Sequence, residues 1–292
     1  MKNNGFAGFS CIAIFLCALL LPAPAGAAAP DSTSAAAKAQ PALWAQAAKI
    51  FEANKDLVPG KVLQKIQELE DDGRVKSESN AEASLALDDA GKIKSDIVKA
   101  SKNGKDVTAK ERKRAEERSK KETAKEQKKK DAEKNAKKNS KSDSDKDSKE
   151  SSHSFSMGDS PFSPEVQNDL RITETNTRET IGARSCVRFG YTYPARTEKP
   201  SKGKPAMVKG TVWIEEGTGN PVKVEFTSDP LPKGAKSMLT TLHYGSDGNG
   251  LWILERMEFE ASGSLLFFKK RIRGDIAFSD YWKYVEPDSQ KR

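Results

Sequence analysis

The sequence predicts a mainly β protein: a curved antiparallel sheet, an incomplete β-barrel, with an N-terminal amphipathic helix and a long charged helical or disordered insertion. Three observations carry that prediction. From Pro205 to Tyr284 apolar and polar residues alternate with period 2, as in Val222, Val224 and Phe226 against Lys223 and Glu225, and Gly217 to Pro221, Pro230, Gly245, Gly248 and Gly263 punctuate the run. That is the pattern of strands half buried in a sheet. Between Lys61 and Lys102, Asp71-Asp72-Gly73 and Asp88-Asp89-Ala90-Gly91 join three segments, turn chemistry that favours a meander. The apolar stripes of so many strands also need a cover. One helix covers a flat sheet of nine or ten strands poorly, and curling the sheet around that helix solves the burial problem.

Residues 1–27 read as a secretory signal peptide, with Lys2, an apolar run from Phe6 to Leu21 and small residues from Ala23 to Ala27. The strictly apolar part, Cys11 to Leu21, is shorter than the about 20 residues a membrane span needs. The mature chain is therefore expected in the periplasm, exported and with its signal cleaved. Residues 28–41 read as a flexible linker. Residues 42–107 hold the helix and three strands. In the helix Leu43, Ala47 and Ile50 recur at helical spacing beside Trp44, Ala48 and Phe51. The strands are expected at Val62–Glu70, Val75–Leu87 and Lys92–Lys102.

Residues 108–159 form a charged low-complexity insertion. From Ala109 to Glu150 it carries 17 Lys or Arg against 11 Asp or Glu, so this stretch supplies six of the chain's net +8 charges and the rest is close to neutral. Its first part, Ala109 to Lys138, has helix-favouring residues but no apolar stripe, which makes for a marginal, solvated helix. Its second part, Asn139 to Ser154, is Ser, Asp and Lys and should be disordered. Residues 160–286 are expected to complete the same β-domain. Strands there include Asp169–Glu174 and Ala183–Tyr193, with Val187, Phe189, Tyr191 and Tyr193 on one face of the latter. Residues 287–292 read as a disordered tail.

Chemistry is sparse. His153 and His243 are the two histidines, and Cys186 is the one cysteine left after signal removal. One cysteine gives no disulfide framework, and no His or Cys stands at zinc-ligand spacing. Asp143, Asp145 and Asp147 mimic the start of a calcium loop, but Ser148 and Ser154 stand where Gly and a bidentate Glu are needed. There is no nucleophile elbow, phosphate-cradling loop or dinucleotide fingerprint. The expectation is a protein without catalytic residues, cofactor or metal. Nucleic acid is disfavoured by the signal peptide and by a basic tract lacking interleaved aromatics. An anionic membrane surface is a candidate partner for Lys110 to Lys149.

What remains is apolar surface on one side of several strands: Met207 with Trp213; Val222, Val224 and Phe226; Met238, Leu242 and Tyr244; Leu251, Ile253, Met257 and Phe259; Leu266, Phe268, Ile272, Ile276 and Phe278. With the helix, these strands supply the candidates to line an apolar cavity: Trp44, Phe51, Trp213, Val224, Phe226, Leu242, Tyr244, Met257, Phe259 and Phe268. The pattern leaves open whether that hollow is empty or filled by side chains.

The stretch Gly210-Thr211-Val212-Trp213-Ile214-Glu215-Glu216, followed by Thr218-Gly219-Asn220-Pro221 and the alternating Val222 to Phe226, resembles the hairpin of the outer-membrane lipoprotein-sorting superfamily, periplasmic carriers of the LolA/LolB type and their sensor relatives. The order of signal peptide, amphipathic helix and antiparallel meander agrees. The resemblance spans Pro41 to Lys105 and Ser160 to Tyr284, with the charged insertion outside it, and the family's cavity arginine falls on no position here. It implies a half-barrel with a lid-like helix that binds acyl chains, and hence a lipid or acylated protein as partner. The alternative is an envelope structural or signalling module acting through its sheet edges or its basic arm.

Overall fold

The computed structural model describes residues 41–88, 91, 93–121, 124, 160–195, 206–232, 234–265 and 268–285. The chain opens with helix α1 (Ala42–Ala53). Strands β1 (Leu57–Val58), β2 (Lys61–Leu69), β3 (Val75–Leu87), β4 (Ile93–Lys102) and β5 (Lys105–Asp106) follow, then helix α2 at residues 108–121. After the insertion come β6 (Arg171–Ile181), β7 (Arg184–Pro194), β8 (Met207–Glu215), β9 (Pro221–Asp229), β10 (Ala235–Ser246), β11 (Trp252–Leu265), β12 (Phe268–Ser279) and β13 (Trp282–Lys283).

Eleven of these strands form one antiparallel sheet in the order β5-β4-β3-β2-β12-β11-β10-β9-β8-β7-β6. Its two terminal strands do not pair, so the sheet is open rather than a closed barrel. The curved mainly-β architecture with an N-terminal helix is the one expected from the sequence. Strands on either side of the insertion meet at β2 and β12, where Val62 lies opposite Phe278 and Ile66 opposite Gly274.

Curvature has local causes. The ladders shift register at five or more places, leaving extra residues such as Lys76 in β3, Val98 in β4, Val222 in β9 and Glu255 in β11. Each bulge bends its strand and sharpens the local twist. Turns follow the expected chemistry. Asn103 and Gly104 both take positive φ, as a two-residue hairpin requires, and Gly73 closes the β2–β3 turn at φ +87°.

One face of the sheet carries the main core. Val62, Ile66, Leu85, Val187, Phe189, Tyr191, Val212, Ile214, Val224, Leu242, Met257, Phe259 and Ile276 join in a single cluster with Trp44 and Ala47 of α1, Phe162 and Val166. This is the concave face, and α1 lies on it. Beyond β12 the chain returns across one end: β13 pairs with β1, Val58 opposite Trp282, and Tyr284 accepts its place in the cluster through an N–H bond to Asp56 O.

The two edges differ. Against β4, the first residue of α2 uses its hydroxyl, Thr108 Oγ1 accepting from Ala100 N at 2.9 Å. Arg112 then donates to the carbonyls of Ile97 (2.6 Å) and Val98 (3.1 Å). The start of α2 is thus docked by polar bonds, with Glu111 buried and paired to Arg114 at 2.7 Å. That departs from the wholly solvated helix expected from its lack of an apolar stripe: carbonyls at a bulged edge, rather than apolar area, hold it. The signal segment, the linker up to residue 40, most of the insertion with His153 and the calcium-like aspartates, and the tail lie outside the described residues. Among the described residues no helix is long and apolar enough to cross a membrane.

Candidate binding site on the concave face

The floor of the site is aromatic because glycines allow it. Tyr191 lies opposite Gly210 and Phe259 opposite Gly274 across neighbouring strands. A Cβ at either glycine would overlap the partner's ring, so each ring lies flat over its neighbour strand. Around them Phe189, Val212, Val224, Leu242 and Met257 complete the floor.

The cover is α1. Trp44 and Ala47 face the floor fully buried, and Phe51 is half-buried one turn further on. The Trp44 ring sits 5.1 Å from Phe162, 5.9 Å from Phe189 and 6.1 Å from Tyr191 between centroids, within the range of favourable aromatic pairs. Phe51 meets Phe162 at 6.2 Å. The helix itself is weakly built. Pro41 stands at its N-cap with no side-chain bond, its first turn holds no acid and its last turn no base, so nothing complements the helix dipole. A twelve-residue helix of this kind is marginal in water, and it persists because it is docked. Two side chains tie it to the sheet: Gln46 Nε2 donates to Thr218 O and Asn54 Nδ2 to Trp252 O, each at 2.8 Å. Gly219, at φ +71°, passes so close to Gln46 that a Cβ would collide with it.

Of the ten residues singled out in the sequence, eight meet here. Trp44, Val224, Leu242, Met257 and Phe259 are buried in the cluster, and Phe51, Phe226 and Tyr244 pack against it half-buried. Phe268 lies in β12, with its side chain outside the described residues.

Trp213 is a correction. It belongs to a second cluster on the opposite face with Cys186 and Val222. In β8 the phase is set by Val212 and Ile214, both fully buried in the main core, and Trp213 therefore points away. Its ring lies between cations instead, with Lys223 Nζ at 4.6 Å and the Arg188 guanidinium at 5.8 Å from the centroid, and its Nε1 donates to Glu179 at 2.8 Å. Val222, expected to share a face with Val224 and Phe226, joins Trp213 because the bulge falls on it. The stripe Leu251, Ile253, Met257 and Phe259 is broken the same way: the extra residue Glu255 brings Leu254 into the core cluster with Met257 and Phe259, and Leu251 is exposed.

Two further residues of the site carry a weaker sequence signal. Tyr191 was legible as part of the β7 stripe but not singled out. Phe162 had no periodic signal, since it lies in the turn Ser160-Pro161-Phe162-Ser163-Pro164 before a short 3-10 turn.

The electrostatics of this face are those of neutral groups. Burial pushes the phenols of Tyr191, Tyr244 and Tyr281 well above their usual range, so they stay protonated. Tyr281 donates to Leu254 O at 2.6 Å. Trp44 Nε1, Tyr191 Oη and both amide atoms of Gln64, which is 3% exposed, have no hydrogen-bond partner among the described residues. Among the described residues the buried polar or charged side chains are Gln64, Glu111, Ser160 and Thr241, with no buried Lys or Arg.

The opposite face is a charged ladder. A recess of about 430 Å³ there is bordered by Leu63, Lys65, Glu82, Lys99, Asp275 and Ala277. Three of its four bordering charges are in ion pairs: Lys65 with Glu78 at 3.0 Å, Glu82 with Lys61 at 2.9 Å and Asp275 with Arg256 at 2.8 Å. His243 meets Glu258 at 3.1 Å. Among the described residues no three His, Cys, Asp or Glu side chains gather as a metal site would require.

Comparison with solved structures finds the chain similar to a DUF1329 family protein from Desulfovibrio piger, at 10% identity and a TM-score of 0.33 over 84% of this chain and 93% of that one. It is similar also to MucB in complex with MucA, at 6% identity and a TM-score of 0.17 over 82% and 99%. A third likeness is to the MucA/MucB complex of Pseudomonas aeruginosa, at 7% identity and 0.19 over 82% and 99%. No protein-family profile and no curated protein matches the sequence.

Proposed function

We propose that this chain is an exported, non-enzymatic binding protein of the cell envelope that takes a lipid, or the acyl chain of a lipid-modified protein, between α1 and the aromatic floor of its sheet. The observation that carries this reading is the construction of α1: a helix without an N-cap side-chain bond over a broad apolar floor, tied by one side-chain bond near each end. The core residues around Trp44 are filled by the chain itself, so a ligand enters by displacing this cover rather than by occupying a standing void.

Magnitudes favour the exchange. Releasing Trp44 and Phe51 from the floor costs roughly 5 kcal/mol, at the upper range of 1.5–3 kcal/mol per large apolar side chain. A sixteen-carbon chain entering in their place gains roughly 12 kcal/mol gross at about 0.8 kcal/mol per methylene. The hairpin from Gly210 to Phe226, with its likeness to the lipoprotein-sorting superfamily, and the signal-like first 27 residues support the same reading.

The test is a reversible lock. Gln46 and Thr218 touch across the cover, and Gln46→Cys with Thr218→Cys should close a disulfide that holds α1 down, while buried Cys186 stays out of reach. The oxidised variant is expected to lose uptake of a fluorescent fatty acid and to regain it on reduction. Full uptake by the locked protein would sink the lid. Protein purified from the periplasm without detergent should carry lipid in native mass spectrometry, and wild type that is always lipid-free and takes up no probe would sink the function.

A second reading has its own observation. The β4 edge is sealed by Thr108 and Arg112 of α2, while β6 ends the sheet with eleven residues and no further strand among those described. Such an edge suits strand addition by a partner protein. Thr173→Pro removes one backbone donor from β6. Loss of partner capture with unchanged fatty-acid uptake would favour this reading over the first.

A further inference from the structure

Two donors are buried at the proposed binding interface, one on the cover and one on the floor. Trp44 is 0% exposed and Tyr191 4% exposed, and neither Nε1 nor Oη finds a partner among the described residues. Their rings stand 6.1 Å apart at 60°. Tyr191 has little freedom to turn its hydroxyl elsewhere, since it is stacked on Tyr193 at 6.0 Å and pressed over Gly210. Burying a donor without an acceptor costs about 1–3 kcal/mol, so two such groups in one buried cluster call for an acceptor.

We propose that Trp44 Nε1 and Tyr191 Oη form a subsite for a neutral carbonyl oxygen on a hydrocarbon chain, the ester or amide carbonyl by which an acyl chain is linked to its carrier. This rests on the acyl-binding reading above and adds what that reading leaves open, the linkage the site recognises. Each step is chemical. An indole N–H only donates. The Tyr191 phenol is held protonated by its burial, so it too offers a hydrogen. The ligand atom must therefore accept, and a carbonyl oxygen with two lone pairs takes both bonds. A free carboxylate would also accept, but there is no buried Lys or Arg among the described residues to offset its charge, and an unpaired buried anion is far costlier than a neutral carbonyl. The surrounding side chains are apolar, so the carbonyl arrives on a hydrocarbon chain. Because one donor rides on α1 and the other on β7, the same oxygen joins cover to floor and draws the helix back down over its ligand.

The experiment compares two probes of equal length, methyl hexadecanoate and its carbonyl-free analogue 1-methoxyhexadecane, each displacing a fluorescent hydrophobic dye from the full chain. Wild type should prefer the ester by about tenfold, the scale of two neutral hydrogen bonds. Tyr191→Phe should cut that preference to about threefold, read as the ester-to-ether ratio within each variant, and Trp44→Phe should do the same. Hexadecanoate at pH 8 should bind more weakly than its methyl ester. Equal affinity for ester and ether in wild type, or an unchanged preference in Tyr191→Phe, overturns this inference alone and leaves acyl binding standing. Binding of neither probe overturns both. Should Trp44→Phe fail to fold, the Tyr191→Phe comparison decides the matter by itself.

Discussion

Glu78 shows how far a surface position of this sheet is tuned by its neighbours. Its carboxylate accepts from Asn80, Gln67 and Lys65, at 2.9, 2.8 and 3.0 Å. Those bonds, Asn80's foremost, hold its pKa down to about 2 from a usual 4.5. A carboxyl depressed on folding stabilises the native state above its unfolded value, and that contribution fades as pH falls through the folded one. Wild type should therefore be more stable than Glu78→Gln at pH 7, with the gap closing between about pH 4.5 and pH 2. Denaturant midpoints across that range check it, and a gap that widens toward acid would contradict the assignment. The glycines at 210 and 274 act on the same scale. Each gives a ring room to lie flat, and no alternation rule reads that requirement from one strand alone.

At the scale of elements the molecule sets a weak helix against strong strands. α1 has no side-chain N-cap bond, no charge complementing its dipole and two polar ties, whereas β11 is laddered on both sides by β10 and β12. Local opening free energy follows contacts of this kind. Native-state hydrogen exchange should find the amides of residues 46–53 opening well before those of 256–261, and Asn54→Ala should widen the difference. Equal protection in both segments would show that α1 is no separable cover. The expectations from sequence were good where one rule acted alone. The helix was legible from Leu43, Ala47 and Ile50, and the meander from its Asp/Gly turns. They failed at bulges, because a single extra residue reverses every side chain beyond it: Val222 crossed to the far face, and Leu254 rather than Ile253 joined the main cluster although both are buried. Trp213 failed for another reason. Val212-Trp213-Ile214 is apolar on both faces, so alternation could not say which side faces inward.

The whole fold depends on pairing across a long separation in sequence. β2 lies beside β12, with Lys61 opposite Ser279, and α1 covers strands that begin more than a hundred residues later. A fragment of residues 160–285 would keep seven sheet strands but expose β12 as an edge and the aromatic floor to water. Expressed alone, it should lack the near-ultraviolet dichroism of packed aromatics and aggregate. A soluble, cooperatively unfolding fragment would show that the first half is dispensable. Long-range pairing also implies slow folding compared with a helical protein of this size.

By itself the sequence determined the elements: period 2 makes strands wherever it runs between turn residues, and helical spacing with Trp44 and Phe51 makes one apolar helix face. It determined too that this helix must cover a sheet, since apolar stripes cannot stay in water. Only the tertiary structure decided which side of each strand faces in, because bulges and a two-faced apolar strand reset the phase. The fold likewise decided that Trp44 and Tyr191 meet with their donors unanswered among the described residues, for that depends on two rings brought together across 147 residues, a closeness no local pattern encodes.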